Sequence, residues 1–439
     1  MATQLRLWFD TLRHHTPSQL GRRAWSRIKR RAIGRRSERE YIRRASVEVD
    51  GIKPGLELAE LSKWKRRAAV ARMDTEQARP IVSGGFKFIG LERHLPFPID
   101  WNLASWPDAP ALWKFHLHSF EFLISLLATA EVEDAGPYTD CAWRLVEDWI
   151  GQNPPGGSGW EQGAWHPYCI SRRAIPWLLL AASDAFATPR TARLIRSLAA
   201  QLLFLEDNLE RDIGGNHLIS NLKALLFGAA CFQGEAPERW LKEVWPELLN
   251  ELAEQILPSG EHFERSPMYH TIVLEDLLDI RTIVRHAIPS LHGKLDSNIG
   301  AMAGHLEAIL HPDGQIPLFG DSTFDATPNP HVAIRRARSM LTKSAISHAI
   351  GIPRSGFDGN SFDCYHRSVS RQGDYWVCRE ADRYLIFDAG PVAPDHLPAH
   401  GHADLLTIEA SVGSQRLLVD SGTCCYEPGP IRNYCRSTA

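Results

Sequence analysis

The stretch GGNHLISNLKALLFGAACF, residues 214–232, decides how this chain is read. Two glycines break the chain, and Asn216 and His217 lead into an amphipathic helix over Leu218–Phe232. The same pattern recurs on both sides. Further amphipathic helices are expected over Ala111–Ala128, Cys141–Ile150, Arg173–Phe186, Thr191–Asn208, Pro237–Gln255, Tyr269–His286 and Leu291–Leu310. Breakers such as Pro154-Pro155 and Pro258-Ser259-Gly260 separate them. A series of up-and-down helical hairpins is the simplest way to bury such faces.

After about residue 352 the pattern changes to short β-rich runs: Cys364–Val369, Tyr375–Arg379, Tyr384–Ala389, Leu405–Ser411 and Arg416–Val419. Residues 60–110 read as irregular. The expected organisation is a basic helical arm over 1–60, a helical domain over 61–351, and the start of an antiparallel β domain over 352–439.

Composition narrows the function less than the pattern does. Hydrophobic residues make up 44% and charged residues 23%, ordinary values for a globular protein, and the net charge of -3 selects no partner. The fourteen Trp suit either core packing between helices or the flat faces of a sugar-binding cleft. About half the residues from Arg22 to Arg44 are basic, so this arm reads as a solvated helical arm or as the part suited to a membrane surface, nucleic acid or an acidic polymer. No stretch near the N-terminus has the apolar core of a secretory signal, and no run has the ~18 apolar residues of a membrane span. Eight scattered cysteines, two of them adjacent at Cys424-Cys425, read as free thiols. A cytoplasmic location is expected, with the periplasm as the alternative.

Three constellations could carry chemistry. Asn216-His217 stands at a helix start, where an Asn caps free N–H groups and where donors also converge on an anion. Ser266-Pro267 is a strong helix start that puts Tyr269 in the first turn, with Arg265 and His270 as neighbouring cations able to favour a phenolate. His400, His402 and Asp420 offer two imidazoles and a carboxylate, donors zinc accepts, although the spacing is no standard zinc motif. Asp313, Asp321, Glu264 and Asp404 are carboxylates from which an acid–base pair for glycoside hydrolysis could be drawn.

Taken together, the motifs resemble the heparinase II/III-like family of polysaccharide lyases. They are Trp113–His118, Trp165–Tyr168 with Ser171–Arg173, Gly215–Ala224, Ser266–His270 with Leu274–Leu277, His311–Gly314, Phe319–Ser322, His400–Asp404, Val419–Thr423 and Arg436–Ala439. The resemblance implies an incomplete (α/α) toroid of helical hairpins followed by an antiparallel β-sandwich. It also implies β-elimination at a uronic acid of an acidic polysaccharide, with nucleic acid not expected as a partner.

Position by position, the resemblance implies that Asn216 and His217 bind the uronate carboxylate. It makes Tyr269 the acid or base and His400 the catalytic histidine. Trp165, His166, Tyr168, Arg173, Arg265 and His270 are expected around the substrate. His402 and Asp420 match two ligands of a structural zinc. The family pattern continues past Ser-Thr-Ala into a His-Asn segment with another ligand, so the zinc set and the sandwich are expected to be incomplete at Ala439. Two other readings stand beside the lyase: a non-catalytic polysaccharide-binding or assembly protein in capsule or exopolysaccharide production, and a glycoside hydrolase on the same fold.

Overall fold

The computed structural model describes residues 38–53, 58–71, 75–155, 163–184, 188–287, 293–341, 368–427 and 429–437, with positions 21, 24 and 291. Most of the basic arm, the start of the run expected over Cys364–Val369 and the boundary expected near 351 lie outside them. The chain forms two compact units, residues 1–249 with 282–288, and residues 250–281 with 289–439.

The first unit is built of helices. In chain order they are α1 (Glu38–Glu48), α2 (Leu58–Ala71), α3 (Thr75–Val82), α4 (Ala111–Ser119), α5 (Phe122–Thr129), α6 (Ala135–Gln152), α7 (Pro167–Ser183), α8 (Pro189–Asp207) and α9 (Gly215–Cys231). Neighbouring helices pack on one another, α7 on α9 and on α8, and α8 on α9 and α1. The region expected to be irregular holds α2, α3 and a hairpin of β2 (Gly85–Phe88) with β3 (Leu91–His94), the short β1 (Gly51–Ile52) preceding them.

The helix expected over Ala111–Ala128 is two helices. Phe120 takes a left-handed conformation, φ 57°, between them. Its fully buried ring stacks on Trp101 at 5.3 Å and meets Trp149 and Trp177 edge-on, and this aromatic packing outweighs the local helical pattern. Among the described residues seven Trp side chains are fully buried, Trp165 and Trp177 included, which puts them in the core rather than on a sugar face.

β4 (Phe232–Gln233) pairs with β1 and leads into α10 (Glu235–Gln255). Next come α11 (Pro267–Ala287), whose residues up to Arg281 belong to the second unit, and then α12 (Asp296–Ile309) and α13 (Pro330–Met340) of that unit. Its sheet is antiparallel in the order β5 (Ser368–Gln372), β6 (Tyr375–Glu380), β7 (Arg383–Asp388), β8 (Ile408–Val412) and β9 (Gln415–Leu418), and α14 (Pro430–Ser437) comes last. Alternation buries Tyr375, Val377, Tyr384 and Ile386 with Ile309 and Phe319. Leu405 and Leu406, expected in a strand, form a turn in which Leu406 has φ 69°.

β8 is tied inward by a buried line in which Ser411 Oγ lies 2.8 Å from His311 Nδ1 and Glu409 Oε2 lies 3.0 Å from His311 Nε2. All three side chains are buried, so this Ser–His–Glu line is a core network without substrate access. No described helix is long and apolar enough to cross a membrane.

Candidate active site

The expected site residues fall into two sets, one in each unit. In the first, Gly214 and Gly215 have φ 73° and 57°, so the chain turns sharply onto the N-terminus of α9. Gly214 takes the cap position, which leaves Asn216 and His217 in the first helical turn. Asn216 is buried and His217 is half-buried.

His217 Nδ1 lies 3.1 Å from Glu210 Oε1, and Tyr168 stacks on its ring at 4.1 Å with 19° between planes. His166 caps α7 by accepting the Tyr168 N–H at Nδ1, and its Nε2 is 4.0 Å from the same Glu210 oxygen. Asn216, His217, His166 and Tyr168 therefore gather at neighbouring helix starts. Burial pushes the Glu210 carboxyl up, but His217, His166 and the Asn221 amide outweigh it and hold it below the usual glutamate range.

Trp165 and Arg173 are corrections to the expected substrate contacts. Trp165 is buried and donates Nε1–H to the Asn153 carbonyl. Arg173 is fully buried, and its guanidinium donates to Gln201 Oε1, the His118 carbonyl and the Ala164 carbonyl. Neither side chain has surface to give a ligand. Both brace the helices that carry His166 and Tyr168.

In the second unit, Pro267 opens α11 as expected, but the cap comes from elsewhere. The Met268 N–H donates to Ser322 Oγ, while Ser266 Oγ donates to the Asp321 carbonyl. Tyr269 is half-buried and lies on the His400 ring with 3.8 Å between centroids. His400 Nε2 is 3.0 Å from Glu264 Oε2, and Nδ1 is 3.0 Å from Asp321 Oδ2. Desolvation pulls the His400 imidazole down, but Glu264 and Asp321 prevail and push it up to about 9.

Asp321 is the hub of this set. It takes the His402 Nε2 edge at 2.8 Å and a two-pronged bond from Arg432 at 2.9 and 2.6 Å. Burial opposes ionisation, but His400, His402 and Arg432 keep the Asp321 carboxyl far below the ordinary aspartate range. Gly320 is required beside it: φ is 61°, and a Cβ would lie 2.9 Å from the His400 carbonyl.

The two cations expected beside Tyr269 are engaged elsewhere. His270 is buried, with Nδ1 accepting the His262 N–H and Nε2 donating to the Met302 carbonyl, and burial holds it well below the usual histidine range. Arg265 Nε donates to Asp374 Oδ2 at 2.8 Å. Arg432 is a cation that interacts electrostatically with the Tyr269 phenol, besides the His400 ring stacked on it. Arg432 was missed because only the fold carries α14 back to Asp321.

Glu264 and Asp321 appeared in the sequence as candidates for an acid–base pair, and both are spent on His400. Asp313 is paired with Arg416, and Asp404 accepts the Gly320 N–H. None of the four is left as half of a glycosidase pair.

His402 and Asp420 are both buried. His402 Nδ1 and Asp420 Oδ2 have no hydrogen-bond partner among the described residues. Burial, its largest influence, raises the Asp420 carboxyl to about 6. His402 turns its other nitrogen to a carboxylate, which is the usual outer support of a metal-binding histidine. This donor pair fits a metal, although no group of three or more His, Cys, Asp or Glu is gathered for one among the described residues.

A helical part followed by an antiparallel β part, with histidines at a helix start and around a tyrosine, defines the class. The family model described as Heparinase II/III N-terminus matches residues 52–345, and Heparinase II/III-like, C-terminal, matches 366–439. The chain belongs to the heparinase II/III-like family. It is 24% identical over 362 residues to the heparin-sulfate lyase of Pedobacter heparinus, covering 77% of this chain and 52% of the relative. A heparin-sulfate lyase of Bacteroides thetaiotaomicron is also 24% identical, over 75% of this chain and 50% of the relative. The chain spans about half the length of these curated relatives.

The crystal structure of heparinase III superposes with a TM-score of 0.64 at 20% identity, covering 90% of this chain and 64% of that one. The heparan sulfate lyase HepC of Pedobacter heparinus gives 0.52 at 18% identity, covering 86% and 64%. The fold class expected from the sequence, an incomplete (α/α) toroid followed by a partial antiparallel β-sandwich, is the fold shared with these structures.

Proposed function

We propose that this protein is a polysaccharide lyase that cleaves a uronic-acid-containing polysaccharide by β-elimination. The observation that carries the reading is Tyr269 lying on a His400 whose two ring nitrogens both face buried carboxylates. The names of the curated relatives, heparin-sulfate lyases, support an acidic polymer as substrate.

The C5 proton of a uronate is weakly acidic, and its removal builds negative charge on the adjoining carboxylate. In this reading Asn216 and His217, at the positive end of α9, bind and stabilise that carboxylate. An imidazole donating from both nitrogens has no lone pair with which to accept a proton. This favours Tyr269 as the group that removes the C5 proton and returns one to the departing O4, with His400 and Arg432 holding it. One residue serving both steps works from one face of the sugar, so a syn elimination is expected.

A structural zinc belongs to the same reading, held by His402 Nδ1 and Asp420 Oδ2. It would tie the segment around His402 to the end of β9, and no proton transfer runs through it. Metal analysis of the purified chain, with loss of the metal in His402→Ala, checks this.

The test of the lyase reading is ultraviolet absorbance on a panel of uronic-acid polysaccharides. A new absorbing double bond in wild type that is absent in Tyr269→Phe is the expected result. Reducing ends released without that absorbance would replace the lyase by a hydrolase, and silence on every polymer would sink the reading.

A further inference from the structure

Glu210 sits behind His217 in a clamp that holds it before the histidine is considered. Asn221 Nδ2 donates to its Oε2 at 2.9 Å, and its backbone N–H donates to Asn221 Oδ1 at 2.9 Å. Asn221 is itself anchored on Ser171 Oγ at 2.9 Å. The carboxylate is 5% exposed and keeps its charge through its partners. A buried anionic oxygen 3.1 Å from a ring nitrogen must be met by N–H, so His217 carries a proton on Nδ1. His166 uses Nδ1 as an acceptor, so its proton is on Nε2, facing the same carboxylate. Tyr168, stacked on His217, fixes the plane of the ring.

Several described charges and thiols nearby are neutral or paired elsewhere. The Cys169 thiol, which also feels Glu210, is pushed up to about 12 by burial and stays neutral. Arg173 is committed to Gln201 and two carbonyls, Arg172 to Glu121, and Arg211 to Glu247. The ring nitrogen left for an incoming group is His217 Nε2, and an anion there requires a proton on that atom too.

We propose that Glu210 is the positioning residue for anion recognition by His217. It holds Nδ1–H toward its own carboxylate and so leaves Nε2 facing the incoming anion. The inference rests on the lyase reading for the identity of that carboxylate, a uronate. Glu210→Gln removes the carboxylate that orients the ring.

Nitrogen-15 NMR of histidine-labelled full-length protein, with His217→Ala for assignment, reads the tautomer without any substrate. Wild type is expected to show Nδ1–H at His217, and Glu210→Gln a shift toward Nε2–H. With a glucuronate-containing oligosaccharide as probe, KM is expected to rise about 10–100-fold in Glu210→Gln, with a smaller change in kcat. Glu210→Asp, which keeps the charge, recovers part of that loss and stands in should the Gln variant not fold.

A bare Nδ1 in wild type, or unchanged tautomer and KM in the variants, overturns the proposal. Wild type that neither binds nor cleaves the probe, with the tautomer as expected, counts against the lyase reading and leaves the Glu210–His217 geometry standing.

Discussion

His217 and His400 are built alike and used differently. Each stacks on a tyrosine, at 4.1 and 3.8 Å, and each is bound to buried carboxylate. His217 meets Glu210 through one nitrogen and keeps the other for a ligand. His400 meets Glu264 and Asp321 through both, and Arg432 closes the far side of Asp321. A histidine with one carboxylate is oriented to bind. A histidine with two is locked, and in the proposed mechanism the chemistry passes to the ring stacked upon it.

The largest break in this comparison is Tyr269→Phe. Removing a group that takes and returns a proton should lower kcat about a thousandfold, roughly 4 kcal/mol, in the ultraviolet assay. A loss under tenfold would return the proton transfer to another residue. Asp321→Asn comes next. It leaves Arg432 facing a neutral amide beside two histidines, and a loss of about 3 kcal/mol is expected in a denaturant titration.

A buried glutamate in each unit sharpens the same contrast. Glu210, surrounded by donors, is held down, whereas Glu261 is raised to about 8 by burial first and then by Asp374. A folded-state value above the unfolded one means the native protein binds more protons between the two. Stability contributed by neutral Glu261 is therefore complete at pH 4 and declines toward pH 8 by up to about 1.4 kcal/mol per pH unit. Arg265 offsets this in part. Glu261→Gln should flatten the decline, and parallel curves for wild type and variant would refute the assignment. The smallest effect belongs to Tyr168→Phe. The ring stays and only a hydroxyl leaves, so kcat/KM should change by less than about threefold, in contrast to Tyr269→Phe.

Much of this was legible in the chain. The change of period from helix to strand, the glycines before Asn216 and the Ser266-Pro267 start all have short-range causes, and the structure places α9, α11 and the sheet accordingly. Sequence reasoning went wrong where a distant group replaced a local one. Ser322 Oγ accepts the Met268 N–H at the start of α11, and Arg432 interacts with Tyr269 while Arg265 and His270 are engaged elsewhere. Phe120 broke a helix because three tryptophans held its ring.

Residue types and spacing by themselves determined which segments are helices or strands and which family the chain belongs to. Those depend on backbone propensity, periodicity and motif order, all written along the chain. Only the tertiary structure decided which carboxylate stands behind each histidine, and that Trp165, Arg173 and His270 brace the walls. Charge pairing and burial are set by neighbours brought from far along the chain, and no local pattern records them.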